Sequence, residues 1–235
     1  MSELLASFAA AGGAPPASHE VVRVHRDGTV RALAGTAWPG LGPASEAGAY
    51  AFALDPAALR ELERLASELP PAPAAPLEPG SGRYVIEAGG ERVQWDPFAD
   101  SPGPLADRLR ALLGEARAHP LAAVRLEVEG ALTYRFTALG SEPVELTVAR
   151  LSARVVAVPS PPADPPPLAW AREATPVDAA GDARVRLAPG ESTAMRAELT
   201  LPDAPHHRID GFARVSLEAA GERVDATLAA GPSVR

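Results

Sequence analysis

Cysteine, lysine and asparagine are all absent from this chain of 235 residues. The absence of cysteine excludes disulfides, thiolate nucleophiles and thiolate metal ligands. The absence of asparagine excludes N-glycosylation, and tight turns must use Asp-Gly or Gly-Gly in place of Asn-Gly. All 22 basic residues are therefore arginine. This bias towards arginine, alanine and proline is typical of a GC-rich bacterial genome.

Positive charge and long apolar runs are also scarce. The 22 arginines are outnumbered by 30 acidic residues, which gives a net charge of −8 and a pI of about 5.2. Because an acidic chain is repelled by phosphate backbones, we expect no nucleic-acid partner. No apolar run reaches the roughly 20 residues of a membrane span, and the first residues lack the basic start of a secretion signal. We therefore expect no membrane insertion, a cytoplasmic location and a flexible tail over residues 1–19.

The clearest structural pattern is a β-hairpin within Gly82–Trp95, in which Gly89-Gly90 can form a two-residue type I′ turn. Folding the chain at this turn pairs Glu87 with Arg92 on one face. Side chains alternate along a strand, so four large apolar residues share the other face: Tyr84, Ile86, Val93 and Trp95. A shift by one residue would mix the two faces, and the pattern therefore predicts the register of the pair.

Two leucine-striped segments predict helices that cover this hairpin. Asp55-Pro56 combines a favourable N-cap with a favourable first helical residue, and the second helix is expected to start near Pro104. Leucine then recurs every three or four residues in both segments, which is the pattern of a helix with one buried side. Together with a first hairpin at Asp27-Gly28, these elements predict an α+β domain over residues 20–129, an antiparallel sheet carrying two helices.

The helical period disappears after about residue 130. Seven short runs of alternating apolar residues follow, separated by turn residues. A turn at Ala220-Gly221 pairs the last two runs, with Val215 opposite Ala226 and Leu217 opposite Val224. Strands at this spacing are typical of an antiparallel β-sandwich. We therefore predict an all-β, immunoglobulin-like sandwich domain over residues 130–235.

Three groups of residues could carry chemistry, and each has a structural interpretation as well. Gly190–Ala194 approaches the hydrolase motif G-x-S-x-G, which needs a strand before the serine and a helix after it; we expect a turn between strands. His206-His207 could ligate zinc, but this spacing does not place two histidines on one side, and we expect a solvated loop between strands. Asp96 and Asp100 could act as an acid–base pair, although aspartate before a proline or a helix also serves in turns and caps.

Segments that combine stiffness with expected exposure are the better candidates for contact with a partner. Pro70–Gly80 has five prolines in eleven residues, and Asp96–Gly103 follows the central hairpin. Both segments connect a leucine-striped helix to this hairpin. A stiff segment loses less conformational entropy on binding. We expect no cofactor and no metal. The candidate partner-binding residues are Phe98, Asp96, Asp100 and Trp38.

The order of elements in residues 20–118 resembles that of emfourin-like bacterial proteins, which are small α+β inhibitors of thermolysin-like metallopeptidases. The resemblance lies in Asp55–Leu65, Arg83–Val93 and Pro104–Leu109, and it implies binding to a peptidase. The glycine-rich first hairpin of that family is replaced here by Arg26–Thr29. The second half, with Leu187–Ser192, looks like immunoglobulin-like bacterial accessory domains in fold alone. No functional residue is transferred from either resemblance.

These observations favour a non-enzymatic bacterial protein that binds another protein, with peptidase inhibition as its specific form. Two other classes stay open. One is a hydrolase or metal-dependent enzyme that uses Asp96, Asp100 or the His206-His207 pair, which bound metal or a deep pocket would favour. The other is a structural subunit of a larger assembly, which large apolar surface patches would favour.

Overall fold

The computed structural model describes residues 3–11, 19–35, 45–69, 83–95, 101, 103–129, 133–158, 172–173, 183–196 and 206–234. These residues form two antiparallel sheets and two helices. In chain order the elements are β1 (Leu4–Ala11), β2 (His19–His25), β3 (Thr29–Ala34), β4 (Glu46–Ala53), α1 (Pro56–Ser67), β5 (Arg83–Ala88), β6 (Glu91–Trp95), α2 (Pro104–Ala116), β7 (Pro120–Glu129), β8 (Thr133–Gly140), β9 (Val144–Val158), β10 (Arg172–Glu173), β11 (Ala183–Leu187), β12 (Ser192–Arg196), β13 (His206–Ala219) and β14 (Glu222–Val234).

The larger sheet has nine strands in the order β12-β8-β7-β4-β3-β2-β1-β5-β6. Most neighbours in this sheet are also consecutive along the chain, as the turns in the sequence predict. Strand β1 is an exception, because it pairs with β2 on one side and with β5 on the other. A sheet-rich fold that carries two helices is thus confirmed.

Strand β1 shows that the prediction of a flexible tail over residues 1–19 is wrong for residues 4–11. These residues lie inside the larger sheet, and Phe8 is buried between Val22 of β2 and Ile86 of β5. Alanine is depleted in strands, so the alanine-rich segment carries a weak strand signal. It becomes a strand because the strands on both sides supply hydrogen bonds and a buried face.

The central hairpin forms with the predicted register. Tyr84 pairs with Trp95, and Ile86 pairs with Val93. The turn glycines Gly89 and Gly90 have φ values of 60° and 85°, as a type I′ turn requires. Tyr84, Ile86 and Trp95 pack in the same core as the two helices, so the apolar face of the hairpin is covered as expected.

Both predicted helices are confirmed, and their starts follow from local sequence. The Asp55 carboxylate caps α1 by accepting hydrogen bonds from the backbone N–H groups of Ala57 and Ala58, at 2.8 and 2.9 Å. Helix α2 begins at Pro104 and buries the predicted stripe. Neither of the described helices is long and apolar enough to cross a membrane.

The two faces of the larger sheet are covered by different layers. The helices pack on one face, over strands β1 to β5. The smaller sheet packs on the opposite face, where β4, β7 and β8 meet β9, β13 and β14. An ion pair of 2.8 Å between Arg23 of β2 and Glu222 of β14 also joins the two sheets. The described residues therefore form three layers, with the larger sheet in the middle.

The smaller sheet has five strands, in the order β10-β9-β13-β14 with β11 paired to another part of β9. Its last hairpin has the predicted register, because Val215 pairs with Ala226 and Leu217 pairs with Val224. Strand β9 joins two runs that the sequence predicts as separate strands, 144–148 and 151–158.

The predicted boundary at residue 130 falls between two neighbouring strands of one sheet. Strand β7 pairs with β8, for example through Leu126 and Phe136, and β12 then pairs with the other side of β8. The larger sheet therefore continues past the boundary, and β8 and β12 share it with the strands of the first half.

Candidate functional site

One row of paired residues crosses five strands at one end of the larger sheet. The row consists of Trp95, Tyr84, Ala10, Glu20 and Ala34, in order from β6 to β3. Strands β1, β3 and β6 end beside this row, and β2 and β5 begin there. We call it the loop end of the sheet. The short turns at Asp27-Gly28 and Gly89-Gly90 lie at the opposite end.

The four predicted contact residues lie outside the described part of the chain, but residues that flank them are described. Trp95 directly precedes the segment that contains Asp96, Phe98 and Asp100. The buried Gly35 precedes the segment that contains Trp38. Both flanks lie at the loop end, four strand spacings or about 19 Å apart. The structure therefore brings the attachment points of the two segments to one end of the sheet.

The two stiff segments of the first half share their attachment points. At the loop end, Arg83 begins β5 and Trp95 ends β6, and these are the adjoining open ends of one hairpin. On the helical side, Leu69 and Gly103 line the same cavity. The segments that follow Leu69 and precede Gly103 therefore both connect the loop end with this cavity.

This cavity, which we call the helix cavity, has a volume of about 130 Å³. It lies between the end of α1, the start of α2 and strand β5. Its interior is apolar, because it is lined by the buried aliphatic side chains of Leu65, Ile86 and Leu105. Glu68 at the rim is held by Arg64, which donates to both carboxylate oxygens at 2.7 and 2.8 Å. The described lining comprises Leu65, Glu68, Leu69, Ile86, Gly103, Pro104, Leu105 and Ala106.

An aromatic cluster lies at the loop end, directly beside the attachment points. The Tyr84 and Trp95 rings are 5.3 Å apart and nearly perpendicular, and the Phe8 ring lies 5.3 Å from Tyr84 and 6.2 Å from Trp95. The guanidinium carbon of Arg110 lies 5.4 Å from the centre of the Tyr84 ring. These contacts attach α2 to the sheet at this end.

The same end carries a half-buried ion pair. Arg117, just after α2, donates a hydrogen bond of 3.0 Å to the Glu20 carboxylate on β2. Burial raises the pKa of Glu20 above its ordinary value, although Arg117 and Arg110 act in the opposite direction. Burial, with the nearby Glu46 carboxylate, also raises the pKa of Tyr50 to about 12. The Tyr50 hydroxyl has no hydrogen-bond partner among the described residues.

The serine motif does not form a nucleophile elbow. Gly190 has a φ of 77° in the turn after β11, and Ser192 begins strand β12 rather than a helix. The Ser192 hydroxyl lies 2.9 Å from the Thr137 hydroxyl on an exposed face. The predicted turn between strands is confirmed.

The histidine pair does not lie in a loop, so that prediction is wrong. His206 and His207 begin strand β13 and pair with Val158 and Ala157 of β9. The extended pairing of β9 with β13 draws this segment into the smaller sheet. Among the described residues, no group of three His, Asp or Glu side chains could hold a metal ion.

Comparison with known proteins gives no further guidance. No family model matches the chain, and no curated protein or solved structure is significantly similar to it.

The sequence predicts that the two stiff segments each connect a helix to the same hairpin, but it does not predict the helix cavity. Leu69 and Leu105 belong to the two leucine-striped segments, and both pack in the core that contains the hairpin. The local signal at the cavity is that each of these leucines adjoins a proline, Pro70 or Pro104. That signal does not show that the two leucines meet.

Proposed function

We propose that the protein is a non-enzymatic binding protein whose partner is another protein. The observation that carries this proposal is that Pro70–Gly80 and Asp96–Gly103 share their attachment points, at the helix cavity and at the loop end of the larger sheet. Binding loops on many proteins project together from one end of a rigid sheet. The segment with Trp38 is attached at the same end, so the three segments can contact one partner.

The loop end, to which these segments are attached, is held together by aromatic packing, which favours a binding role. Phe8, Tyr84 and Trp95 pack against one another at the loop end, and Arg110 of α2 covers Tyr84. A surface that is ordered before contact loses less entropy on binding, and this raises affinity. Aromatic residues such as Phe98 and Trp38 are enriched in the buried cores of protein interfaces.

The experiment compares binding by the wild-type chain with binding by Phe98→Ala and Trp38→Ala. Each immobilised variant is incubated with an extract of the source organism, and retained proteins are quantified by mass spectrometry. We expect one partner to be retained by the wild type and reduced at least tenfold by Phe98→Ala, with the melting temperature nearly unchanged. Glu91→Ala at the opposite end of the sheet is the matched control and should bind like the wild type. Melting of Phe98→Ala with a proportional loss of binding would show that Phe98 belongs to the core.

Peptidase inhibition is the specific form of this proposal. A molar excess of the intact protein, added to a thermolysin-like metallopeptidase, should then slow cleavage of a peptide substrate. An unchanged rate would remove the inhibitor version and leave binding to a different protein.

The immunoglobulin-like description of residues 130–235 and the cytoplasmic location are part of the same proposal. The smaller sheet packs face to face on β4, β7 and β8, which supports a sandwich, but one that includes β4 and β7 from before residue 130. The acidic net charge of −8 supports a protein partner over a nucleic acid or an anionic membrane.

A further inference from the structure

Two arginines face each other on the outer face of the smaller sheet. The inner face of this sheet packs on the larger sheet through residues such as Val148, Leu151 and Val215. Side chains alternate along a strand, so Arg150 of β9 and Arg214 of β13 lie on the outer face, where both are exposed. They are directly opposite each other in the ladder, which places their Cα atoms about 4.5–5.5 Å apart. We call these two residues the arginine pair.

A β-bulge places Arg150 in this position. Arg214 pairs with Arg150, whereas the next residue of β13 pairs with Val148, so Ala149 is an extra residue of β9. The extra residue reverses the alternation of the strand, and Leu151 therefore faces the larger sheet as Val148 does. Without it, Arg150 would face inward. Bulges are common where a strand redirects a side chain towards a functional site.

The charge of the arginine pair is not neutralised by the described residues. Like charges directly opposite each other destabilise a sheet. Glu145 and Glu218 also face each other, but arginines flank them, because Arg186 lies opposite Glu145 and Arg223 lies opposite Glu218. Asp225 forms its ion pair of 3.2 Å with Arg223. Among the described residues, no carboxylate forms an ion pair with either member of the arginine pair.

The surroundings of the arginine pair indicate which anion it fits. Guanidinium groups bind carboxylates through two parallel hydrogen bonds, and two adjacent guanidinium groups can hold one carboxylate from two sides. Glu145 and Glu218 lie about 14 Å away along the strands and would repel a polyanion laid on this face. Phe212, two residues before Arg214 on the same face, is half-buried and offers an apolar contact. The site therefore fits one carboxylate that has an apolar neighbour.

We infer that the arginine pair is a docking site for an acidic segment of a partner protein, and that it holds one aspartate or glutamate side chain while Phe212 contacts an apolar residue of the same segment. In an extended segment, residues two positions apart are separated by about 7 Å, as Phe212 and Arg214 are on β13. The source is a protein segment rather than a free anion, because a free anion does not use the apolar contact. The arginine pair lies on the opposite outer layer from the helices, so this inference does not depend on the loop end.

A short peptide tests this site without the natural partner. The acetylated and amidated peptide Leu-Ser-Glu is titrated into the intact protein, and the side-chain Nε–H resonances of Arg150 and Arg214 are followed by NMR. We expect saturable shifts at millimolar peptide, and binding that weakens as salt is added because the contact is exposed. The matched peptide Leu-Ser-Gln, which lacks only the charge, should give no saturable shift. Equal shifts with both peptides, or no saturable shift with the glutamate peptide, would overturn the inference.

Neutralising one arginine provides the decisive variants. Arg214→Gln and Arg150→Gln should each weaken binding of the glutamate peptide at least threefold. Arg186→Gln makes the same change elsewhere on the same exposed face and should leave binding within twofold of the wild type. Because Arg214→Gln and Arg150→Gln each remove a contact between like charges, neither should lower the melting temperature. A fall of several degrees in both would show that the chain itself neutralises the arginine pair, and would overturn the inference.

Inorganic phosphate and a single-stranded DNA oligonucleotide test the other possible occupants. Phosphate that saturates the same shifts at a lower concentration than the glutamate peptide would show an adventitious ion only. DNA that binds more tightly than the peptide would show a nucleic-acid site, and either result would overturn the inference. Failure of this inference leaves the proposed function intact, because Phe98→Ala tests the loop end separately.

Discussion

Replacement of Trp95 by alanine tests the packing of the loop end. The Trp95 side chain is only 8% exposed and ends the central hairpin, paired with Tyr84 across the strands. Its ring lies 5.3 Å from that of Tyr84 and 6.2 Å from that of Phe8. The substitution removes both aromatic contacts and leaves a cavity between the sheet and the helices.

The expected cost follows from this burial. Truncation of a buried tryptophan or phenylalanine to alanine typically costs about 3–5 kcal/mol, which includes the cavity left behind. For a chain of this length, each kcal/mol lowers the melting temperature by roughly 2–4 °C, so a decrease of roughly 6–20 °C is expected. Trp95→Phe keeps a ring against Tyr84 and should lose clearly less.

Urea unfolding followed by circular dichroism measures the effect. Gln94→Ala is the matched control, because Gln94 is the preceding residue and faces the other side of the same strand. This control should change the free energy of unfolding by less than about 0.5 kcal/mol. Equal midpoints for Trp95→Ala and the wild type would show that the apolar face of the hairpin is not covered by the helices.

The remaining predictions concern Glu20, the glycines Gly48 and Gly114, and zinc. Folding raises the pKa of Glu20, so the protonated Glu20 side chain stabilises the folded state below its ordinary pKa, and this contribution is lost as the pH rises. Glu20→Gln mimics the protonated form and should therefore have a higher melting temperature than the wild type at pH 7. This gain in melting temperature should disappear near pH 4. Gly48→Ala should lower the free energy of unfolding by about 3 kcal/mol or more, because the φ of Gly48 is 155° and an added Cβ would lie 2.4 Å from the Ala122 carbonyl oxygen. At Gly114 an added Cβ meets no atom within 4 Å, so Gly114→Ala should instead stabilise α2 by roughly 0.5–1 kcal/mol. Urea unfolding measures both changes. The purified protein should contain no stoichiometric zinc by elemental analysis, and zinc that is lost in His206→Ala would contradict this.

Local pairings were predictable where turn chemistry and alternation agree. The hairpins at Gly89-Gly90 and Ala220-Gly221 have the predicted registers, because a two-residue turn fixes which residues face each other and a shift would expose the apolar face. Helix α1 was predictable in the same way, since Asp55 and Pro56 specify its first turn.

The order of strands in the sheet could not be predicted, because it depends on contacts between residues far apart in the chain. Residues of β1 pair with β5 about 80 positions later, as in Phe8 with Ile86. Nothing local in an alanine-rich segment indicates such a pairing. The continuation of the larger sheet from β7 into β8 likewise depends on which strands pair in the folded chain, and local sequence does not specify this.

The sequence identifies the two candidate contact segments, but it does not show that they are attached at the same place in the fold. Proline content and the aromatic Phe98 identify stiff segments with a possible anchor. Their shared attachment depends on Leu69, Ile86 and Leu105, which lie just after α1, in β5 and in α2 and line one cavity only in the folded chain.

The most direct test of the account is quantitative capture of a partner by the wild type, by the double variant Trp38→Ala with Phe98→Ala, and by Glu91→Ala at the opposite end of the sheet. Melting temperatures of all three are measured in parallel. The account predicts that the wild type and Glu91→Ala retain the same protein, and that the double variant loses it while melting within about 2 °C of the wild type, as expected for surface substitutions. Equal retention by the double variant and the wild type would contradict the central claim that the loop end binds the partner.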